Sequence, residues 1–390
     1  VSVQGTTVDF PAVSRRKDMV VSQLVRGVES LIKKNKVRVI KGAGTIIDPK
    51  KVGVAGSDET VAVDSIVIAT GSVSSKVPID GIEGQGVITS DDALKMEQLP
   101  ESVVIIGGGV IGLEFGQIFH RLGSKVTIVE MLPQLLPTED TEIAQALEAL
   151  LKKEGMDIFT SATVKKISDA KGGKKVSFAT KEGEMERVAE KVLVAVGRKP
   201  DFGGLDLKKL GISIDKGAIA VNKRMETNIP GIYAIGDVVG GIMLAHVAMD
   251  EGKCAVQNAL GSESKIDYEA VPRCIYTSPE VAGVGLTESQ AKERYDKLRV
   301  GRFPFVGNGR ALTLNQTTGM VKVITDAKYG QILGVHILGP NATELIAEAV
   351  LAMRMEATFS DLGRTTHAHP TLSEAVMEAA LGVEGCAIHI

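Results

Sequence analysis

The chain has no tryptophan, and aromatic residues make up only 4% of its 390 residues. Its three cysteines, Cys254, Cys274 and Cys386, are scattered. That spacing excludes a disulfide framework and a C-x-x-C metal or redox pair, so a reduced compartment is expected. No apolar run approaches the roughly 20 residues that a membrane helix needs, so no membrane partner is expected. Net charge is −3, which gives no electrostatic case for nucleic acid. There is no start methionine, and Val1–Val13 shows no signal peptide or targeting pattern. The segment reads like the middle of something longer. What is present is ordinary globular material: hydrophobic residues at 44% and charged residues at 24%, in a chain long enough for two or three domains.

The most informative stretch is Val103–Glu130, VVIIGGGVIGLEFGQIFHRLGSKVTIVE. Val103–Ile106 is a run of β-branched residues, as a buried parallel strand requires. Gly107, Gly109 and Gly112 then fall in G-x-G-x-x-G spacing. The first permits a tight turn, the second lets a pyrophosphate approach the backbone, and the third lets helix and strand pack closely. The helix that follows points its N–H groups and positive dipole end at that phosphate. Lys125–Val129 reads as the next strand, ending at Glu130. An acid about 20 residues past the glycines binds the ribose hydroxyls of NAD and repels the additional phosphate of NADP. The fingerprint alone is weak, but here strand, helix, second strand and acid all stand in order.

Upstream, Lys17–Lys34 has helical spacing of apolar residues, and Val37–Ile40 reads as a strand leading to Gly44. Ile66–Ala69 runs into Thr70-Gly71-Ser72. That is either a plain strand-to-loop turn or backbone N–H groups at a strand's carboxyl end, where α/β sheets take ligands. Downstream, Thr141–Glu154 reads as a helix closed by Gly155. Thr163–Ile167, Lys175–Thr180 and Arg187–Val196 read as an antiparallel meander returning to the sheet. Val192–Val196 runs into Gly197 in the same pattern as Ile66–Ser72. Ile232–Ile235 delivers Gly236 and Asp237 to a strand end, where a carboxylate can bind sugar hydroxyls or where Gly-Asp is only a turn. Met243–Leu260 reads as a helix. From about Val271 the pattern becomes α+β, with strands Met320–Thr325 and Ile332–Leu338 and helices Ala342–Met355 and Pro370–Leu381.

Four of the six histidines lie after residue 335, and His367-Ala368-His369-Pro370-Thr371-Leu372-Ser373-Glu374 is the cluster of interest. His369 precedes a proline and is held extended, Pro370 suits a first helical turn, and Glu374 can reach back to an imidazole. A His–carboxylate pair fixes the tautomer and makes a general acid/base. A metal pair and an ordinary capped helix start are the competing readings, the metal one weakened because no further Cys or His cluster accompanies it.

Taken together, IVIATGS (66–72), VVIIGGGVIGLEFG (103–116), VGRKP (196–200), TNIPGIYAIGD (227–237), MLAH (243–246), YTSPEVAGVG (276–285) and HAHPTLSEA (367–375) resemble the pyridine nucleotide–disulfide oxidoreductases. The likeness is greatest to the branch that reoxidises the dihydrolipoamide of 2-oxo-acid dehydrogenase complexes. It implies an α/β fold with two dinucleotide-binding-type domains, the first incomplete, and a C-terminal α+β dimerisation domain. The implied division is 1–72 as the remainder of an FAD domain, 73–198 as the NAD domain, 199–270 as the return of the FAD domain and 271–390 as the interface domain.

The resemblance assigns FAD contacts to Gly44, Thr70, Gly71, Ser72, Asp237, Met243, Leu244, Ala245 and His246. It assigns NAD contacts to Gly107, Gly108, Gly109, Val110, Ile111, Gly112, Leu113, Glu114, Glu130, Val164 and Gly197. His369 takes the role of catalytic base and Glu374 that of its orienting partner; no metal is implied. The implied partners are a second copy of the chain, lipoyl domains and the acyltransferase core of such a complex. The implied compartment is the mitochondrial matrix, with the bacterial cytoplasm as the alternative. One departure stands out. No G-x-G-x-x-G occurs upstream of Gly107, and no cysteine precedes Cys254 to supply the family's C-x-x-x-x-C. The expectation is therefore that the flavin–disulfide segment is absent and that the chain alone is inactive. The rivals are a non-catalytic dimerising or docking fragment, and another disulfide reductase of glutathione or mercuric type. Glu130 and the lack of vicinal cysteines in the tail argue against the glutathione and mercuric types.

Overall fold

The computed structural model describes residues 2, 4–56 and 59–390, which form two compact units. The first comprises Val1–Lys76, Leu94–Gln98 and Gly197–Asp267; the second comprises Val77–Ala93, Leu99–Val196 and Tyr268–Ile390.

In the first unit, a helix spans Phe10–Lys34, starting well before the expected Lys17. Asp9 explains the earlier start: its carboxylate accepts the Ala12 N–H at 2.9 Å, and a proline follows in the first turn. Val37–Ile40, expected as a strand, is not one; the strand is Gly44–Asp48. The latter wins because it has a partner at hand. Lys51–Val54 folds back on it in antiparallel register, and Asp48 Oδ1 accepts the Lys50 N–H at 2.8 Å in the turn. Thr60–Ala62 completes this meander. Ile66–Ile68 pairs in parallel with Ile232–Ala234, and Ser72–Ser74 pairs antiparallel with Arg198–Pro200, so segments distant in sequence share one core. Ile66, Ile68, Ile219, Ile232 and Ala234 form its centre. The helix Ala245–Ala259 follows.

The second unit holds a five-stranded parallel sheet in the order Val87–Ile88, Lys191–Val194, Ser102–Ile106, Lys125–Val129, Asp157–Phe159. Val103–Ile106 is buried on both faces, which accounts for its unbroken apolar run. The helix Thr141–Glu154 ends at Gly155 in a left-handed conformation, as read from the sequence. The meander Thr163–Ala170, Gly173–Thr180, Gly183–Ala189 is separate from the return strand Lys191–Val194. The remainder is an antiparallel sheet of five strands in the order Arg273–Ile275, Glu280–Gly285, Ile332–Gly339, Met320–Asp326, Leu298–Pro304. Helices Ala342–Arg354 and Glu374–Leu381 share its core, through residues such as Ile346, Ala349, Ala375 and Val376. The fold is thus α/β, with two dinucleotide-binding-type regions and a C-terminal α+β domain. Among the described residues, no helix is long and apolar enough to cross a membrane.

Candidate coenzyme and acid–base sites

The second unit carries the glycine turn. Gly107 leaves the strand at φ +111°, and its N–H donates to the Val129 carbonyl at 2.9 Å. A side chain there would meet the Ala195 carbonyl oxygen at 2.4 Å. Gly112 is packed so closely that a Cβ would lie 2.0 Å from the Gly107 carbonyl oxygen, whereas a Cβ on Gly109 would meet open space. Gly109 is also the N-cap of the helix Val110–Leu122 and has no side chain to cap the first turn. That leaves the first-turn N–H groups of Val110, Ile111 and Gly112 for an anion. Leu113 is buried in the core.

Glu130, only 7% exposed, turns back to this helix start. Its Oε2 accepts the Gly108 N–H at 2.6 Å and its Oε1 the Leu132 N–H at 2.7 Å. Glu114 accepts the Tyr276 N–H at 2.9 Å; burial pushes its carboxyl above the usual range, against the pull of that hydrogen bond. Val164 lies in the meander and packs on the core around Val104 and Phe178. The structure therefore brings Gly107–Gly112 and Glu130 together around one turn, whereas Leu113 points into the core and Glu114 to the Tyr276 N–H. A buried acid aimed at an uncapped helix start, beside a glycine with space for a ligand, fits a dinucleotide.

In the first unit, Gly71 at φ +78° turns the chain after Thr70, whose hydroxyl donates to the Asp201 carbonyl at 2.5 Å. Ser72 Oγ donates to Asp237 Oδ2 at 2.5 Å and accepts from Arg198 Nε at 2.7 Å. Arg198 Nη2 also donates to the Ser72 carbonyl at 2.7 Å. Asp237 lies in a 3-10 turn, Gly236–Val239, just past the strand Ile232–Ala234. That turn is braced by buried Glu251, whose Oε2 accepts the Gly236 N–H at 2.6 Å. Met243 and Leu244 precede the helix that opens with Ala245 and His246, and Leu244 supplies no side-chain cap. A cavity of about 1040 Å³ is lined by Val73, Arg198, Phe202, Val239 and Met243, among others. Its mixed apolar and charged wall, next to the Ser72–Asp237 pair, fits a flavin nucleotide. Gly44 pairs with Val54 in the meander, and Gly197, at φ +110°, belongs to this unit. Arg198 and Glu251 were given no role from the sequence; Arg198's signal was its place in VGRKP.

His369 and Glu374 meet as expected. The imidazole Nδ1 donates to Glu374 Oε1 at 2.8 Å, and Glu374 Oε2 accepts the Thr371 N–H at 2.8 Å. Burial pushes the Glu374 carboxyl up, but the Thr371 N–H and the imidazole outweigh it and hold the group below its usual value. An ionised carboxylate only accepts, so the Nδ1 proton is fixed and Nε2 is the exchanging atom. The ring is 77% exposed. Pro370 is not in a helix; the helix begins at Glu374, since the intervening residues turn to place the carboxylate under the ring. His367 is committed elsewhere, at 2.8 Å from the Thr365 carbonyl and 2.7 Å from Glu348 Oε1. Among the described residues no His, Cys, Asp and Glu converge on a metal position.

Comparison with known proteins follows the same outline. The family model described as pyridine nucleotide-disulphide oxidoreductase matches residues 4–252, and that family's dimerisation domain matches residues 271–380. A dihydrolipoyl dehydrogenase of Thermus scotoductus is 46% identical, over 98% of this chain and 83% of its own. One from Bacillus subtilis is 42% identical, over 100% and 85%. A mitochondrial dihydrolipoyl dehydrogenase of Arabidopsis thaliana is 42% identical, over 100% and 78%. Among solved structures, the HOCl-induced flavoprotein disulfide reductase RclA from Escherichia coli has a TM-score of 0.86 at 31% identity, covering 96% of this chain and 86% of that one.

These matches overturn two expectations. An absent flavin–disulfide segment is not supported, because the FAD/NAD-binding family model is matched from residue 4 onwards. An inactive or docking-only remnant is not supported either, because similarity to enzymes runs over 98–100% of this chain and 83–85% of those two relatives. Both expectations rested on two short motifs, a glycine fingerprint and a cysteine pair.

Proposed function

Since the chain belongs to the pyridine nucleotide-disulphide oxidoreductases and is a homodimeric, FAD- and NAD-dependent enzyme of the dihydrolipoyl dehydrogenase type, we propose that it oxidises protein-bound dihydrolipoamide and reduces NAD. The observation that carries this reading is the pairing of two features: the His369–Glu374 acid/base and the Glu130-guarded glycine turn. The dithiol loses two protons and two electrons, NAD takes a hydride, and one proton is released. When bound, FAD and NAD supply the electron and hydride transfer; the chain's residues do the rest.

His369 Nε2 takes a thiol proton, and Glu374 stabilises the imidazolium that forms. The first-turn N–H groups after Gly109 bind the NAD pyrophosphate, and Glu130 takes the ribose hydroxyls while turning NADP away. Glu114 and Val164 complete the NAD contacts. Thr70–Ser72, Asp237 and Met243–His246, with Gly44, hold FAD, and Arg198 fixes the Ser72–Asp237 pair. Residues 1–72 and 199–270 are assigned to the FAD domain, 73–198 to the NAD domain and 271–390 to the interface domain. Lipoyl domains and the acyltransferase core of a 2-oxo-acid dehydrogenase complex are the partners. The mitochondrial matrix is the compartment proposed, in line with the plant relatives, and the bacterial cytoplasm is the alternative.

A second reading is reduction of another disulfide, favoured by the structural likeness to RclA. One experiment separates them: the flavin-loaded protein is assayed for NAD reduction by dihydrolipoamide and for NADH oxidation by glutathione disulfide. Turnover with dihydrolipoamide alone supports the proposal. Turnover with glutathione disulfide alone refutes it.

A further inference from the structure

The loop Met131–Asp140, which joins Glu130 to the helix Thr141–Glu154, is held at both ends. At one end it closes on the glycine turn. The Leu136 N–H donates to the Gly108 carbonyl at 3.0 Å, and Leu135 Cδ2 lies 2.5 Å from where a Gly108 Cβ would stand. Both leucines are fully buried, and Leu136 adopts φ +47°, a strained conformation for a branched side chain. The Leu132 N–H meanwhile fixes Glu130 Oε1.

At the other end the loop enters an ion cluster whose centre, Asp140 and Lys322, is buried and whose rim, Arg302 and Lys292, is exposed. Glu139 Oε1 accepts from Arg273 Nε at 2.7 Å. Asp140 Oδ1 accepts from Lys322 Nζ at 2.7 Å, and its Oδ2 accepts the Glu288 N–H at 3.0 Å. Lys322 stands in the middle of the strand Met320–Asp326, is 2% exposed, and also reaches Glu142 at 2.9 Å and Glu288 at 2.8 Å. Arg302 bridges the same two glutamates, and Lys292 meets Glu288. Three carboxylates, Asp140, Glu142 and Glu288, thus face three cations, Lys322, Arg302 and Lys292, beside the Glu139–Arg273 pair.

Buried ion pairs of this kind are no more stabilising than well-packed apolar residues of the same volume. What this cluster does uniquely is fix the position of Asp140. We propose that Lys322 is a positioning residue for the pyridine nucleotide site: by anchoring Asp140 it holds the loop whose leucines close the glycine turn and whose Leu132 amide orients Glu130. The inference rests on the assignment of that turn and Glu130 to NAD. It makes the α+β domain a determinant of coenzyme affinity from outside the coenzyme site.

The test is fluorescence titration of the flavin-loaded protein with NADH, with thermal melting and the flavin spectrum recorded alongside. Wild-type binding is read first; its failure would indict the coenzyme-site assignment rather than this inference. Asp140→Asn keeps a good helix cap and leaves Lys322 two carboxylates, but weakens the loop anchor. We expect NADH to bind it at least about threefold more weakly. Lys322→Gln is expected to weaken NADH at least about fivefold with the flavin spectrum unchanged. The double variant Asp140→Asn, Lys322→Gln cuts the same contact twice and is expected to bind NADH about as weakly as Lys322→Gln alone; losses that add in full overturn the inference. NADH affinity unchanged in Asp140→Asn, or lost melting temperature without lost affinity in Lys322→Gln, overturns the inference. Asp140→Asn keeps it falsifiable if Lys322→Gln does not fold.

Discussion

Replacing Gly112 with alanine separates the packing role of the glycine turn from its binding role. In the interior of a helix, Gly→Ala ordinarily stabilises by up to about 1 kcal/mol. Here the new Cβ would stand 2.0 Å from the Gly107 carbonyl oxygen and 3.3 Å from Ile105 Cγ2. The first obstacle is backbone, so the helix Val110–Leu122 must withdraw from its strand by more than ~1 Å to reach ordinary contact. Overpacking of this severity costs about 1–3 kcal/mol. The expected net loss is about 2 kcal/mol at its upper end, a fall of about 4–8 °C in Tm for a domain of 150–250 residues. Gly109→Ala is the control: at φ −76° with no atom within 4 Å, its methyl strains nothing. Stability should hold to within about 0.5 kcal/mol. NADH affinity should nevertheless fall about tenfold, near 1.4 kcal/mol, because the methyl occupies the pyrophosphate position. Gly116→Ala belongs between them, since the nearest atoms to its Cβ would be the flexible ends of Ile105 and Ile128 at 3.2 and 3.3 Å. Calorimetry and NADH titration on the three variants decide the matter. A Gly112→Ala protein that melts above wild type refutes the packing argument, and undiminished NADH affinity in Gly109→Ala refutes the phosphate position.

Glu130→Arg should shift coenzyme preference from NAD towards NADP and also lower stability, because the Gly108 and Leu132 N–H groups lose their acceptor at about 1–3 kcal/mol each. Steady-state kinetics with both coenzymes, alongside a melting curve, check this. His369→Gln should reduce dithiol turnover by about 10²–10⁴ with NADH affinity intact, and Glu374→Gln should reduce it less. An NADH constant that moves with kcat would argue for a structural role instead. Hydrogen bonds from Lys292 and then Lys322 hold the Glu288 carboxyl well below its ordinary 4.5, at about 2, although burial opposes them. A depressed carboxyl contributes stability above its ordinary value and loses it as pH falls towards the folded one. The melting difference between wild type and Glu288→Gln should therefore be full at about pH 6 and vanish as pH falls from 4.5 towards 2. A difference independent of pH would contradict the ion-cluster description.

What was legible in the sequence was local and contiguous. Strand, glycine turn, helix, strand and Glu130 follow one another within 28 residues, so spacing alone orders them. The His369–Glu374 contact was legible for the same reason. Pairing between distant segments was not. Val37–Ile40 has the composition of a strand but no partner strand among the described residues, whereas Gly44–Asp48 has one two residues further on. Arg198 reaches Ser72 only because Arg198–Pro200 pairs with Ser72–Ser74. The ion cluster was invisible because its members run from Asp140 to Lys322. Its only sign was a lysine inside the apolar run Met320–Ile324, whose period says nothing of what the lysine meets.

Glu130 arrives at any encounter with its rotamer already chosen. Two main-chain amides grip one oxygen each, and each oxygen retains a second lone pair. A sugar diol docking there freezes no loose side chain, a saving of about 0.5–1.5 kcal/mol over a carboxylate left to wander. Shortening the arm by one methylene, as in Glu130→Asp, would forfeit that readiness while leaving the charge untouched. On the proposed assignment of this turn to NAD, discrimination between coenzymes is a matter of reach as much as of sign.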